Sequence, residues 1–503
     1  MLPQVIERAA RDHADVVAYR THRGWDVTYA ELDRLSDEAA AWLAMRGVDE
    51  GDVVALCMPS RVDYIVAFLA AAKVGAVTAG INPRFTARER AAALDTLVPD
   101  LVLAAGDDQL DGVPSDAEVE LITLAEQPEE ILASERIIGE APALLPEDPS
   151  RPVVVCFTSG SSGQPKGAWY ENRQLQVIAD LDTGGSWGGG GHRYASTEFA
   201  HVGVMTKLPW LLASGGTTHL LEKWRAEPVL ELIDEYRMSA VAAIAPQVAL
   251  MLRVPDLDRF DFECVKAIVT GGALASPGLV AAGRELFGAP WSIRYSSTES
   301  GGVGLGTALD ADDEEALHTV GRPRPGVEAE IRGGDGSPVA DGDVGELWLR
   351  SAAVMSGYWN DPENTASTLV DGWLRTGDLA FVDDRGCFRL AGRTTEMFIR
   401  GGYNVYPLEV ESVLSTHPKV ADVAVAPRPD DVMGEIGVAV VVPADPGDPP
   451  TLDELRAHGQ ESLAAYKLPE ALRYTVKLPT NATDKVDRRA LVATEQSEFS
   501  SGA

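Results

Sequence analysis

The chain has 503 residues, with 43 lysines and arginines against 77 aspartates and glutamates, a formal charge of −34. Hydrophobic residues at 45% and charged residues at 24% exclude wholesale disorder, and the length predicts several structural units. So acidic a chain repels phosphate backbones and anionic lipid, which argues against nucleic-acid or membrane-surface binding as its main task. Small anionic ligands stay open, because a few local cations and backbone N–H groups override a global field.

Cys57, Cys156, Cys264 and Cys387 form no close pair in sequence, against a disulfide framework or zinc cluster and in keeping with a reducing compartment. The opening stretch has no apolar signal-peptide core. The most apolar run, Ile65 to Ile81, carries Lys73 in its middle and is too short and too broken to span a membrane. The expectation is a cytoplasmic protein with no membrane span.

In chain order, Thr28 and Glu31 form a capping box that opens a helix over Leu32, Leu35, Ala39 and Leu43. Residues 53–58 read as a buried strand ended by Pro59, followed by an Ala-rich helix and an apolar segment at 76–81. A second box, Thr86 and Glu89, opens another helix before the strand-like run 101–105. Residues 106–150 are acidic and weakly periodic, and read as a surface connection. Strands apolar on both faces are predicted at 153–157, 240–245, 266–270 and 291–295, with helices between them. That alternation implies largely parallel sheets covered by helices. From about 318 to 391 the turns shorten and strand candidates fall at 327–332, 345–350, 379–383 and 387–391, an antiparallel, hairpin-rich unit. After a Gly-rich junction come a helix opened by Pro407, β-rich runs at 420–427 and 435–443, and a helix at 451–465. The fold class expected is therefore α/β. A large N-terminal domain, 1–392, has helix-covered, mostly parallel sheets and a β-rich part, and a small α+β domain follows at 393–503.

The segment from Phe157 to Ala168 holds Thr158, Ser159, Gly160, Ser161, Ser162, Gly163, Lys166 and Gly167 directly after a predicted strand. Glycines admit backbone N–H groups to oxygens, hydroxyls add donors and Lys166 adds charge, which suits an anion cradle. A flexible Gly/Ser surface loop has the same composition. It is not a Walker A loop, since Pro165 and Gly167 stand where that motif needs Gly and a hydroxyl.

This segment resembles the signature loop of the adenylate-forming superfamily, the acyl-CoA synthetases, peptide-synthetase adenylation domains and luciferases. Four further motifs follow in the family's order. They are Tyr295-Ser296-Ser297-Thr298-Glu299, Thr376-Gly377-Asp378, the junction from Gly392 to Glu411, and the stretch from Pro479 to Asp487 with Lys485.

The resemblance implies an AMP-forming ligase. It would use ATP, Mg2+ and coenzyme A to convert a carboxylic acid, through an acyl-adenylate, to a thioester. It implies that Thr158, Ser159, Gly160, Ser161, Ser162, Gly163 and Lys166 hold the β- and γ-phosphates, that Thr298 donates to the α-phosphate, and that Glu299 binds Mg2+. Tyr295, Ser296, Ser297, Gly271 and Gly272 would line the adenine pocket, and Asp378 and Arg393 would take the ribose and phosphates. Lys485 would bridge the attacking carboxylate and the α-phosphate. The C-terminal domain would then rotate at the junction near Thr395, where Gly401 and Gly402 let the pantetheine thiol pass. His201, Gly301 and Gly302 would border the acyl substrate. A homodimer is compatible with the resemblance. Ser296, Thr395 and Asp484 depart from the usual family residues.

The stretch Phe199-Ala200-His201 lacks the Asp that amino-acid-activating relatives use to hold an α-amine, which argues against amino-acid activation. The run from Gly301 to Gly306 suggests a roomy apolar channel for a medium, long or bulky acid. Arg193, Lys207 and Arg225 leave a dicarboxylate open. The run Gly184 to Gly191 reads as a loop that either gates the acyl entrance or is disordered, the second preferred. Loading of a carrier-protein pantetheine, or a non-catalytic nucleotide-binding relative, are the alternative functions.

Overall fold

The computed structural model describes residues 1–158, 165–272, 275–430, 432–481 and 485–501. Among the described residues the strands form five sheets.

The largest has a parallel core of Pro152–Phe157, Val77–Gly80, Val53–Cys57, Leu101–Ala104 and Val119–Leu121, in that spatial order. On its other side Gly167–Glu171 returns antiparallel to Pro152–Phe157, and Gly357–Tyr358 pairs onto that strand. The loop after Phe157 is thus the connection of a β-hairpin. Both capping boxes form: Thr28 and Thr86 accept the N–H of Glu31 and Glu89, whose carboxylates reach back to the cap N–H. The helix Val62–Val74 is buried along its whole length. Its Lys73 is accommodated because its ammonium meets Asp33 at 2.7 Å and Asp37 at 2.6 Å on the neighbouring helix Tyr29–Met45. Among the described residues no helix is long and apolar enough to cross a membrane.

A second sheet runs Ala240–Ala243, Ala267–Gly271, Trp291–Tyr295 in parallel, then Leu305–Gly306 and Arg322–Pro323 antiparallel. The sequence reading of strands buried on both faces is corrected for the first of these. Val241 and Ala243 are buried, whereas Ala240 and Ala242 are exposed to the central cleft. A third sheet joins Val17–Arg20 and Asp26–Thr28 to Thr217–His219 and His192–Tyr194. The antiparallel unit expected after residue 318 is present as Val327–Arg332, Gly345–Ser351, Leu369–Val370, Trp373–Val382 and Phe388–Arg393. Its central strand starts six residues earlier than 379, and so carries Thr376, Gly377 and Asp378 within the strand.

The fifth sheet consists of Phe398–Arg400, Tyr403–Val405, Val420–Asp430, Gly434–Pro443 and Ala471–Tyr474. Its core, built on Val410, Leu414, Val425, Val441 and Leu455, is a cluster separate from those of the preceding sheets. The helix expected to 465 ends at Gly459, because the chain folds back: a Cβ there would lie 2.7 Å from Leu468 Cδ2. Residues 106–150 also differ from the expectation. Val119–Leu121 extends the largest sheet, and Ile131 and Leu132 are buried in the core.

Candidate active site

The strand Trp291–Tyr295 ends at the edge of a deep cleft, where ligands of parallel α/β sheets collect. The turn that follows, 296–302, is held from three sides. Ser297 and Ser300 bond each other's backbone N–H through their hydroxyls. Tyr170, fully buried on the hairpin strand Gly167–Glu171, donates to the Thr298 carbonyl and accepts from the Gly301 N–H at 3.0 Å. The N–H of Met355 donates to the Glu299 carbonyl at 2.9 Å. Gly301 and Gly302 have φ of 71° and 74°, in the left-handed region that disfavours side chains. A Cβ on Gly301 would also sit 2.5 Å from the Ala353 carbonyl oxygen. The Glu299 carboxylate accepts a hydrogen bond from the Tyr358 hydroxyl at 2.9 Å, through Oε1.

Opposite this turn lies Asp378. One of its oxygens takes the Tyr295 hydroxyl at 2.5 Å and the other takes Arg393 Nε at 2.8 Å. Burial, then the charge of Asp378, pushes the Tyr295 phenol well above its ordinary range, so it stays a donor. Each carboxylate oxygen has two lone pairs, so Asp378 keeps acceptor capacity facing the cleft. Gly271 and Gly272 end the adjacent strand. A Cβ on Gly271 would meet the Arg294 carbonyl oxygen at 2.9 Å, and Gly272 has φ of 78°. Ser296 and Ser297 line the cleft between these walls.

Thr158 and Lys166 close the base of the hairpin loop. The Thr158 N–H donates to the Lys166 carbonyl at 2.9 Å, and the Lys166 N–H to the Thr158 hydroxyl at 3.3 Å. The Lys166 ammonium bonds Asn364 Oδ1 at 2.7 Å and stands 5.1 Å from the centre of the Tyr358 ring. Ser159, Gly160, Ser161, Ser162 and Gly163 lie outside the described residues, as does Asp484.

Lys485 comes from the other side, from the C-terminal unit. Its backbone is tied to Asn481, by N–H to Oδ1 at 3.1 Å and by its carbonyl accepting the Asn481 N–H at 2.8 Å. Its side chain reaches over the strand end to within 3.9 Å of the position a Gly272 Cβ would take. It is accessible from the cleft yet walled by protein. This loss of bulk water, and next the charge of Arg393, lowers its pKa, with Asp378 and Glu299 pulling the other way. The structure thus gathers Lys485, Asp378, Arg393, Glu299, Tyr295 and Gly272 in one place.

Thr395 is exposed on the short turn between Phe388–Arg393 and Phe398–Arg400, at the cleft. Gly401 and Gly402 are not brought to the cleft. They form the two-residue turn between Arg400 and Tyr403, with φ of 54° and 87°. A type I′ hairpin turn needs positive φ at both positions, which accounts for the glycine pair by itself.

At the end of the cleft expected from the sequence to take the acyl group, His201 is half-buried at the start of the helix Val202–Met205, with Nε2 3.4 Å from Asn82 Nδ2. Of the three cations noted in the sequence, Arg225 is exposed at a helix start, and Arg193 stacks on Trp210 and bonds Ser214. Lys207 pairs with Asp182 inside the cleft, where Arg324 also reaches Asp182 at 3.1 Å. The run from Gly184 to Gly191 is tied down, which overturns its reading as disordered. The N–H groups of Gly188 and Gly190 bond the carbonyls of Ala213 and Ser214, and Trp187 stacks on His13 and beneath Arg8.

The cleft is continuous from the Asp378 wall to the acyl end and encloses about 3710 Å3. Sequence reasoning missed Tyr170, Tyr358, Asn364, Arg294 and Arg324. Of these only Arg294 carried a usable signal, as the residue before the Tyr295 motif.

A crevice on a large α/β body, met by a lysine from a unit built on a separate small sheet, is the architecture of an adenylate-forming enzyme. Residues 6–359 match the family model described as AMP-binding enzyme, and residues 409–485 that described as AMP-binding enzyme C-terminal domain. The chain belongs to the AMP-binding enzyme family. It is 33% identical over 95% of its length to a feruloyl-CoA synthase of Amycolatopsis sp, covering 96% of that protein. It is 30% identical over 93% of its length to the indoleacetate–CoA ligase of Aromatoleum aromaticum, covering 94%. The amide bond synthetase McbA from Marinactinospora thermotolerans has a similar structure, with a TM-score of 0.86 and 31% identity across 97% of this chain and 99% of that one.

Proposed function

We propose that the chain is an acid:CoA ligase that activates a carboxylic acid with ATP and passes the acyl group to coenzyme A, with residues 1–392 as the fixed body and 393–503 as the moving unit. The observation that carries this reading is the convergence of Lys485 with Glu299, Asp378 and Arg393 in one cleft.

In the first half-reaction a carboxylate oxygen forms a bond to the α-phosphorus of ATP and the bond to pyrophosphate breaks. Two anions must approach each other, so donors and cations have to be fixed where charge accumulates. Lys485 places an ammonium between the incoming carboxylate and the α-phosphate. Thr298, immobilised by Tyr170, directs its hydroxyl at the same phosphate. Lys166 and the 158–166 loop hold the outer phosphates. Asp378 accepts from the ribose, steadied by Tyr295 and Arg393, and Gly271 and Gly272 leave room for the base.

Mg2+ fits this site as an ion that arrives with the nucleotide. Among the described residues no group of three or more His, Cys, Asp or Glu side chains could hold a metal, and Glu299 offers a single carboxylate with one oxygen left by Tyr358. That suits an ion bound through one carboxylate, phosphates and water. When bound it would neutralise phosphate charge. In the second half-reaction the thiolate of coenzyme A attacks the acyl carbonyl and AMP leaves. Rotation about the Thr395 turn withdraws Lys485 and brings Gly401 and Gly402 towards the cleft.

The test is carboxylate-dependent release of pyrophosphate from ATP, followed by consumption of free coenzyme A. Pyrophosphate release without thioester, in the presence of coenzyme A, would move the acceptor to a carrier-protein pantetheine or an amine. No pyrophosphate release with any acid would end the ligase reading in favour of a binding protein.

A further inference from the structure

The acyl end of the cleft carries more positive charge than its own carboxylate answers. Lys207 and Arg324 both close on Asp182, Lys207 on Oδ2 and Arg324 on Oδ1, so each oxygen of that carboxylate already faces a cation. Arg294 stands beside this trio in the same cleft, and among the described residues its guanidinium makes no hydrogen bond or ion pair. Its charge interactions are repulsion from Arg324 and attraction to Asp182. Three cations therefore share one anion in a partly desolvated pocket, where an unanswered charge is costly.

The glycine run after the Tyr295 motif makes room for these side chains. A Cβ on Gly302 would lie 3.2 Å from Lys207 Cε, and one on Gly306 would lie 2.2 Å from a terminal guanidinium nitrogen of Arg294. The residues that sequence reasoning assigned to an apolar wall thus border a cationic floor.

We propose that this floor is an anion subsite, in which Arg294, backed by Lys207 and Arg324, binds a second carboxylate at the far end of the acid substrate. The inference rests on the ligase reading and names its substrate class. A guanidinium with a free planar fork suits a carboxylate bidentately.

The experiment compares acids in pairs, each dicarboxylic acid beside the monoacid of the same length, such as adipate with hexanoate and terephthalate with 4-methylbenzoate, by kcat/KM for pyrophosphate release. The wild type should favour the diacid member. Arg294→Gln should lower kcat/KM for diacids roughly 10- to 100-fold, mostly through KM, the range expected for hydrogen bonds to a charged group, and leave the monoacids unchanged. Thermal unfolding of the variant beside wild type separates this from misfolding, and Arg294→Lys should restore part of the diacid preference. Turnover of monoacids equal to or above their diacid partners, or an equal loss for both in Arg294→Gln, overturns the subsite while leaving the ligase intact. Absence of pyrophosphate release with every acid overturns the ligase reading and this inference with it.

Discussion

The turn 296–302 and the lysine that faces it are held in opposite ways. Thr298 and Glu299 sit in a lattice of bonds from Tyr170, Ser300, Met355 and Tyr358, contributed by three separate stretches of the N-terminal body. Among the described residues Lys485 is tied only through its backbone to Asn481, and its ammonium has no hydrogen-bond or ion-pair partner. A group that must receive charge at a constant position works best when it is already immobilised, since no reorganisation is then needed during reaction. A group that must enter and leave within one turnover gains nothing from strong partners in either position. The contrast fits a site whose receptor is rigid and whose activator is mobile.

The largest effect should come from the Lys485 side, which the proposed mechanism makes mobile. Lys485→Ala is expected to lower adenylate formation by about 10²–10³-fold, measured as pyrophosphate release, while thioester formation from supplied acyl-adenylate is little changed. Equal loss of both steps would erase the distinction between activator and receptor. On the rigid side, Gly301→Ala forces a left-handed residue against the Ala353 carbonyl. It should cost about 1–3 kcal/mol of stability and most of the turnover, read by thermal unfolding and by steady-state rates.

Tyr358→Phe removes one bond to Glu299. It should raise the Mg2+ concentration for half-maximal rate about fivefold, with nucleotide-free stability nearly unaffected by comparison. The pH dependence separates the two sides more gently. In the proposed mechanism the ammonium form of Lys485 is the active one, and burial lowers its pKa. The rate of the first step should therefore fall with rising pH below the ordinary lysine range of about 10.4. In Lys485→Arg the residual rate should lack that basic limb, because a guanidinium stays charged.

Much of this molecule was legible in its sequence because the signals were local. The Thr28–Glu31 and Thr86–Glu89 boxes, the apolar runs of the parallel strands and the short turns after 318 all act within a few residues. What escaped was tertiary. Gly167–Glu171 carries Trp169 and Tyr170 in a stretch that reads as no particular element, yet it is the strand on which the phenol supporting Thr298 is carried. Tyr358 and Asn364 reach Glu299 and Lys166 from more than 50 residues away in sequence, a juxtaposition no periodicity encodes. The glycines of 301–306 read as the wall of a roomy apolar channel, whereas Gly301 and Gly304 are pressed against the Ala353 and Tyr295 carbonyls, and Gly302 and Gly306 against the side chains of Lys207 and Arg294 from other elements.

The anchoring of Trp187 has a practical corollary. The opening helix Leu2–Asp12, through Arg8, and His13 just beyond it clamp the indole that pins the oligoglycine stretch against residues 213–214. Trimming a dozen amino-terminal residues for crystallisation or tagging would therefore unfasten one wall of the cleft, and activity measured on such a shortened protein should differ from that of the longer one.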